Sequence, residues 1–176
     1  MITLRLAVSH LAVSLAASAL AVSPSAAQDH AGMDHSHMGA PAAQNDSAFR
    51  ALQARGKGTM GVDQYASKHR FEDLPNGGRI ELQMKEADSA SIAQIRMHLQ
   101  QTARDFINGI FTAPDSTHAM VVPGTVVMAQ KKDAIHYTYR ALPRGGEVRI
   151  TTEDSVALRA IREFLAFQRE DHRAGQ

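Results

Sequence analysis

Two stretches of the sequence share one motif: residues 71–82 are FEDLPNGGRIEL, and residues 139–150 are YRALPRGGEVRI. Both contain Leu-Pro-x-Gly-Gly between segments of strand-like alternation, which predicts two strands joined by a tight turn. Proline fixes φ in such a turn, and glycine supplies the positive φ that a hairpin reversal needs. Gly77 and Gly145 lie 68 positions apart (145 − 77 = 68), so we interpret the two hairpins as copies of one repeat.

Each predicted hairpin is followed by an amphipathic helix, at residues 88–106 and 154–172. Both helical segments begin with Asp-Ser, and Asp88 and Asp154 are good N-caps. One ββα unit cannot bury its own apolar face, whereas two units can share a sheet. We therefore predict an α+β fold: two tandem ββα repeats forming a four-stranded antiparallel sheet with two helices on one face. Residues 125–130 would add a fifth strand if the sheet is larger.

The N-terminal residues predict export. Arg5 is followed by an apolar run over residues 6–22 and then by small residues up to Ala27, as in a secretory signal peptide. The sequence contains no cysteine, so the exported domain has to be stable without disulfides. We predict a signal peptide at residues 1–27, a disordered His/Met-rich tail and linker at 28–59, and the ββα-ββα domain at 60–176. The expected location is the periplasm or the extracellular medium.

Charge excludes one class of partner. The chain carries 19 Lys and Arg residues against 18 Asp and Glu residues, and no basic stripe is interleaved with aromatic residues. A nucleic-acid surface needs such a stripe, so we predict no nucleic-acid partner. We also expect no membrane association after signal cleavage, and the sequence leaves the oligomeric state open.

The predicted tail carries a cluster of metal-binding side chains in residues 29–39, DHAGMDHSHMG. Imidazole suits Cu(II) and thioether suits Cu(I), so this composition favours copper, while zinc or nickel would use only the imidazoles. Cleavage after Ala27 would also make the third mature residue a histidine, which allows a square-planar Cu(II) or Ni(II) site. The segment resembles the Met/His-rich segments of periplasmic copper-resistance proteins. The candidate tail ligands are His30, Met33, His35, His37 and Met38.

A comparison of the two repeats identifies candidate ligands in the domain. At three positions one copy has histidine where the other has an aromatic residue: His69 pairs with Tyr137, His98 with Phe164, and His172 with Phe106. Aromatic residues at such positions are usually buried, so we expect their histidine counterparts to point inward or line a cleft. The segment between the repeats adds further candidates. The candidate domain ligands are His69, His98, His118, Met128 and His172.

The alternative to metal binding is that these histidines are hydrogen-bonded core residues. No His-x-x-x-His or His-x-Glu pair brings them together. His172 falls in the last turn of its helix, where the helix dipole favours the charged imidazole. His136 lies on the opposite strand face from Tyr137 and is expected to be exposed.

Residues 60–172 resemble a widespread family of small exported bacterial proteins that share no assigned activity. The resemblance rests on the blocks MGVDQYASKHRF, IRMHL, FINGIFTAP, VPGTVVM, GGEVRITTEDSVALRAI and FLAFQREDH. Some members carry the name aspartate carbamoyltransferase, but this chain lacks that enzyme's Ser-Thr-Arg-Thr segment and its two large α/β domains. Members often have His-His-Phe where this chain has Arg70 in the middle position, so no paired-histidine role is implied there.

Three functional hypotheses follow. The first is an exported metal-binding protein, for copper, whose partners are the metal ion and another periplasmic metal-handling protein. The second is a small-ligand-binding domain or an enzyme that uses a His-lined cleft between the repeats. The third is a structural or partner-binding module with histidines in its core. No nucleophile motif is present, so an enzymatic activity is the less favoured interpretation.

Overall fold

The computed structural model describes residues 40–174, with side chains from residue 46 onward. The predicted signal peptide and the five tail ligands lie outside the described residues. The helices and strands are α1 (Ala40–Met60), β1 (Ser67–Leu74), β2 (Gly77–Met84), α2 (Ser89–Ile107), α3 (Thr112–His118), α4 (Thr125–Gln130), β3 (Ile135–Leu142), β4 (Gly145–Thr152) and α5 (Ser155–Asp171). Within residues 40–174, no helix is both long enough and apolar enough to span a bilayer.

The four strands form one antiparallel sheet in the order β1-β2-β4-β3. The two central strands belong to different repeats, and Ile80 of β2 pairs directly with Val148 of β4. These two residues are equivalent positions of the repeat (148 − 80 = 68), so an approximate two-fold axis passes between them. The predicted α+β architecture of four antiparallel strands is confirmed.

The repeated glycines have a different role from the one predicted. They begin β2 and β4, and the two-residue turns before them are formed by Pro75-Asn76 and Pro143-Arg144. A Cβ atom on Gly77 would lie 2.0 Å from the carbonyl oxygen of Ile150, and one on Gly145 would lie 2.0 Å from that of Leu82. The glycines therefore permit the close approach of the central strands. Of the four repeated glycines, only Gly77 has positive φ.

Both long helices begin as predicted. The side chains of Asp88 and Asp154 each accept hydrogen bonds from the backbone N–H groups two and three residues later. These bonds satisfy donors that have no partner inside the helix.

The helices cross over within the fold. Helix α2 packs mainly against β3 and β4, and α5 packs mainly against β1 and β2, so each helix covers the hairpin of the other repeat. Leu165 of α5 lies over Gly78, and Leu99 of α2 lies over the equivalent Gly146. This crossing brings side chains from both repeats into one core.

The disordered linker predicted at 28–59 is wrong for residues 40–59, which belong to helix α1. Leu52 of this helix is only 1% exposed. The Arg55 guanidinium donates a hydrogen bond of 2.8 Å to the backbone carbonyl of Thr117. These tertiary contacts stabilise a segment whose glycines and weak apolar periodicity gave no helical pattern.

The possible fifth strand is also wrong, because residues 125–130 form helix α4. Valine at two of these positions favours a strand, but tertiary context overrides that preference. Gly124 precedes the helix with φ of 83°, and a Cβ atom there would lie 2.2 Å from the carbonyl oxygen of Ala160. This close approach holds α4 against α5.

Candidate functional site: a histidine-lined cavity

A cavity of about 80 Å³ lies between the sheet and helices α1, α2, α3 and α5. Since one water occupies about 10–15 Å³ by this measure, the cavity has room for a few water-sized atoms or for one metal ion. None of the residues that line it is Asp, Glu, Lys or Arg. Its apolar walls include Phe71, Ile80, Leu82, Leu99, Phe106 and Phe164. The four histidines that line it are His69, His98, His118 and His172.

Strand alternation and a helix end bring two of these histidines into contact. His69 and Phe71 lie two residues apart on β1 and both face the helices, with ring centroids 6.1 Å apart. His172 follows the last residue of α5, and its ring stacks on that of His69 with centroids 5.0 Å apart and planes inclined by 15°. The expectation that these histidines point inward is confirmed.

His118, the last residue of α3, is the most buried of the four, with a side chain only 1% exposed. Its ring lies edge-on to that of His172, with centroids 5.1 Å apart. Its Nδ1 donates a hydrogen bond of 2.5 Å to the Asp171 carboxylate, and its Nε2 lies 3.2 Å from Gln168 Oε1. Because Gln168 lines the cavity and Asp171 does not, Nε2 is the nitrogen on the cavity side.

Burial keeps three of the imidazoles neutral in the ligand-free protein. Desolvation, together with the nearby His98, lowers the pKa of His69 to about 4. Desolvation, with smaller effects of His69 and His118, lowers the pKa of His172 to about 2. Desolvation also lowers the pKa of His98. The helix dipole was expected to favour charged His172, but the loss of water around the ring outweighs it.

Three polar atoms at this cavity are buried without a hydrogen-bond partner in the described part of the chain. They are Gln64 Oε1, Gln168 Nε2 and His172 Nδ1. Gln64 and Gln168 are 6% and 4% exposed, respectively. Buried polar atoms are almost always paired in folded proteins, so three such atoms around one cavity indicate a place where a bound water or a ligand supplies the partner.

The equivalent place in the other half of the fold contains aromatic rings. Tyr137 and Phe106 are the counterparts of His69 and His172, and their ring centroids lie 5.7 Å apart. Phe164, the counterpart of His98, packs 5.9 Å from Phe106. One half of the pseudo-symmetric molecule thus has an apolar aromatic cluster, and the other half has histidines at the equivalent positions. The ring geometries differ, because the planes of Phe106 and Tyr137 are inclined by 71° and those of His69 and His172 by 15°.

Not every predicted ligand belongs to this cavity. Met128 of α4 is fully buried in the hydrophobic core and is not among the residues that line the cavity. His136 is exposed on the open face of the sheet, as expected. In the described part of the chain, no group of three or more His, Asp or Glu side chains is arranged so that it could hold a metal ion. The four imidazoles in their present orientations therefore do not form a metal site of three or more such ligands.

Sequence reasoning missed several residues of the site. Gln168 lies one helical turn before His172 on α5, so helical spacing alone could have placed it near the histidines. Met60 and Gln64 line the cavity from α1 and the turn that follows it, and no local pattern signals this. They reach the cavity only because α1 folds against α3.

Comparison of the chain with protein-family models, curated proteins and solved structures gives no significant match. The family resemblance seen in the sequence stays a prediction, and the proposed function depends on the site alone.

Proposed function

We propose that this protein is an exported copper-binding protein with two metal sites, one in the His/Met tail and one in the histidine-lined cavity. One observation carries the proposal for the domain: four imidazoles from β1, α2, α3 and α5 converge on one small cavity. Neutral imidazole is the form that binds metal ions, and burial favours that form here.

Distances between the rings are compatible with shared coordination. Metal–nitrogen bonds of about 2 Å place two imidazole centroids roughly 5 Å apart on one ion. The centroids of His69 and His118 lie 5.0 Å and 5.1 Å, respectively, from that of His172. Because the His69 and His172 rings are stacked with planes inclined by 15°, shared coordination requires at least one of them to rotate about its side-chain bonds.

The contact between Asp171 and His118 supports the same chemistry. Metal-binding histidines usually donate their second ring N–H to a carboxylate or a carbonyl, which fixes the tautomer and the ring orientation. Asp171 accepts that hydrogen bond from Nδ1, and a metal bound at Nε2 would replace the contact of that nitrogen with Gln168 Oε1. In the tail, imidazole and thioether groups in close succession would capture copper and raise its concentration near the domain.

The test is copper titration of four full-length variants and the wild type under matched conditions. One variant replaces His30, His35 and His37 with Ala, a second carries His69→Tyr and His172→Phe, and a third combines all five changes. The substitutions in the cavity introduce the aromatic pair that the other repeat has at the equivalent positions, and circular dichroism checks that the variant is folded. The fourth, His136→Ala, is the matched control, since this histidine is exposed.

We expect the wild type and the control to bind two copper ions tightly. The tail variant and the cavity variant should each lose one ion, and the combined variant should lose both. Retention of full stoichiometry by the cavity variant would contradict a copper site in the domain. Retention by the tail variant would contradict a site in the tail.

A second candidate function is the binding of a small uncharged molecule. The unpartnered Gln64 Oε1 and Gln168 Nε2 offer one acceptor and one donor in the cavity. Acetamide is a suitable probe, because it combines an N–H donor with a carbonyl acceptor in a very small molecule. In the metal-free protein, acetamide should shift the NMR signals of the cavity residues, and Gln168→Leu should weaken that response. Unchanged spectra would rule out this candidate.

A further inference from the structure

We infer that the cavity takes copper as Cu(I) rather than as a divalent ion, an inference that rests on the proposed copper site. Two features of the described residues carry it: the absence of charged lining residues and the presence of one thioether.

The first feature is the charge of the walls. No carboxylate lines the cavity in the described part of the chain, and large apolar side chains form much of its surface. The cost of moving an ion from water into such surroundings rises with the square of its charge. A monovalent ion is therefore much less costly to bury here than Cu(II) or Zn(II).

The second feature is the donor set. Met60, the last residue of α1, lines the cavity beside the histidines and is only 5% exposed. Thioether sulfur is a soft donor that selects Cu(I), whereas Zn(II) gains little from it. Two or three imidazoles with one thioether form a neutral ligand set that suits the low coordination number of Cu(I).

The experiment measures metal selectivity in the full chain after removal of the tail ligands. The protein carries Ala at five positions: His30, Met33, His35, His37 and Met38. Dissociation constants for Cu(I), under anaerobic reducing conditions, and for Cu(II) and Zn(II) are obtained by competition with chelators. We expect one Cu(I) per chain and a dissociation constant lower than that for Zn(II) on the order of a hundredfold.

Two further substitutions in the same background test the two causes. Met60→Leu keeps the volume but removes the thioether, so Cu(I) binding should weaken while Zn(II) binding stays unchanged. Gln168→Glu adds a carboxylate of the same shape to the wall and should shift the preference toward Zn(II) and Cu(II). Circular dichroism confirms that each variant is folded.

The outcomes separate this inference from the proposed function. Binding of Zn(II) or Cu(II) as tightly as Cu(I) would overturn the Cu(I) inference and leave the metal site standing. No binding of any of the three ions would overturn both. An equal loss of Cu(I) and Zn(II) affinity in Met60→Leu would contradict thioether coordination.

Discussion

Acid should destabilise the metal-free protein through its buried histidines, and a double variant in the cavity should remove most of that sensitivity. In the folded state burial lowers the pKa of His69 to about 4 and that of His172 to about 2. In the unfolded state both imidazoles take up protons near pH 6.5. The unfolded state therefore binds more protons below that pH, and the free energy of unfolding falls as the pH drops from 7 toward 4.

The magnitude follows from the two pKa values. Between pH 7 and pH 5, each of these histidines costs at most about 2 kcal/mol, so the pair contributes at most about 4 kcal/mol. Partial contact of the rings with water lowers this figure. Replacement by the aromatic residues of the other repeat, as His69→Tyr with His172→Phe, removes both titrating groups.

The assay is urea unfolding of the metal-free wild type and of the double variant at pH 7, 6 and 5. The wild type should lose stability more steeply than the variant, and the gap between the two curves should grow as the pH falls. His136→Ala should follow the wild type, because its imidazole is exposed. Parallel stability curves for the wild type and the double variant would refute the argument that burial keeps these rings neutral.

Two further predictions concern the fold. Gly145→Ala should destabilise the protein by about 3 kcal/mol, because the new Cβ would lie 2.0 Å from the Leu82 carbonyl oxygen. A similar urea midpoint in wild type and variant would contradict this prediction. Gly58→Ala is the matched control: nothing lies within 4 Å of the position that its new methyl group would take in helix α1, so the change should stabilise by about 0.5–1 kcal/mol. Asp154→Ala should lower stability at pH 7, since hydrogen bonds, first from Lys131 and then from the helix N-terminus, lower the pKa of Asp154 to about 2. That stabilisation is present above about pH 4 and is lost as the pH falls toward 2. The unfolding free energies of wild type and variant should therefore converge in acid. A constant difference down to pH 2 would contradict the role assigned to the Asp154 carboxylate.

The repeat made much of the fold predictable from sequence. Hairpins and helix starts depend on local chemistry, so Asp88 and Asp154 could be assigned as N-caps from the residues alone. The crossing of the helices was not predictable, because the same apolar stripe can pack on either hairpin. Gly78 and Gly146 leave room for Leu165 and Leu99 of the crossing helices, but because the two glycines are equivalent positions they do not distinguish one arrangement from the other.

The same relation between the repeats located three of the four cavity histidines. An aromatic residue in one copy marks an inward position in the other, and this logic holds for His69, His98 and His172. His118 has no counterpart in the other repeat, and its place depends on the packing of α3. Met128 shows the limit of residue type as a guide, since a methionine in the connecting segment proved to be a core residue.

The contributions of α1 were beyond sequence reasoning for a physical reason. Its residues have little intrinsic amphipathic pattern, and tertiary contacts such as that of Arg55 with the Thr117 carbonyl stabilise it. Such contacts leave no trace in local composition. Met60 and Gln64 therefore join the site only through the tertiary fold.

Nitrogen NMR of the imidazole rings shows whether the domain histidines bind copper. One equivalent of Cu(I) is added to the full-length protein that lacks the five tail ligands. We predict that ring-nitrogen signals of at least two of the four cavity histidines shift or disappear, while those of His136 stay unchanged. Unchanged cavity signals in the presence of Cu(I) would contradict copper binding by the domain.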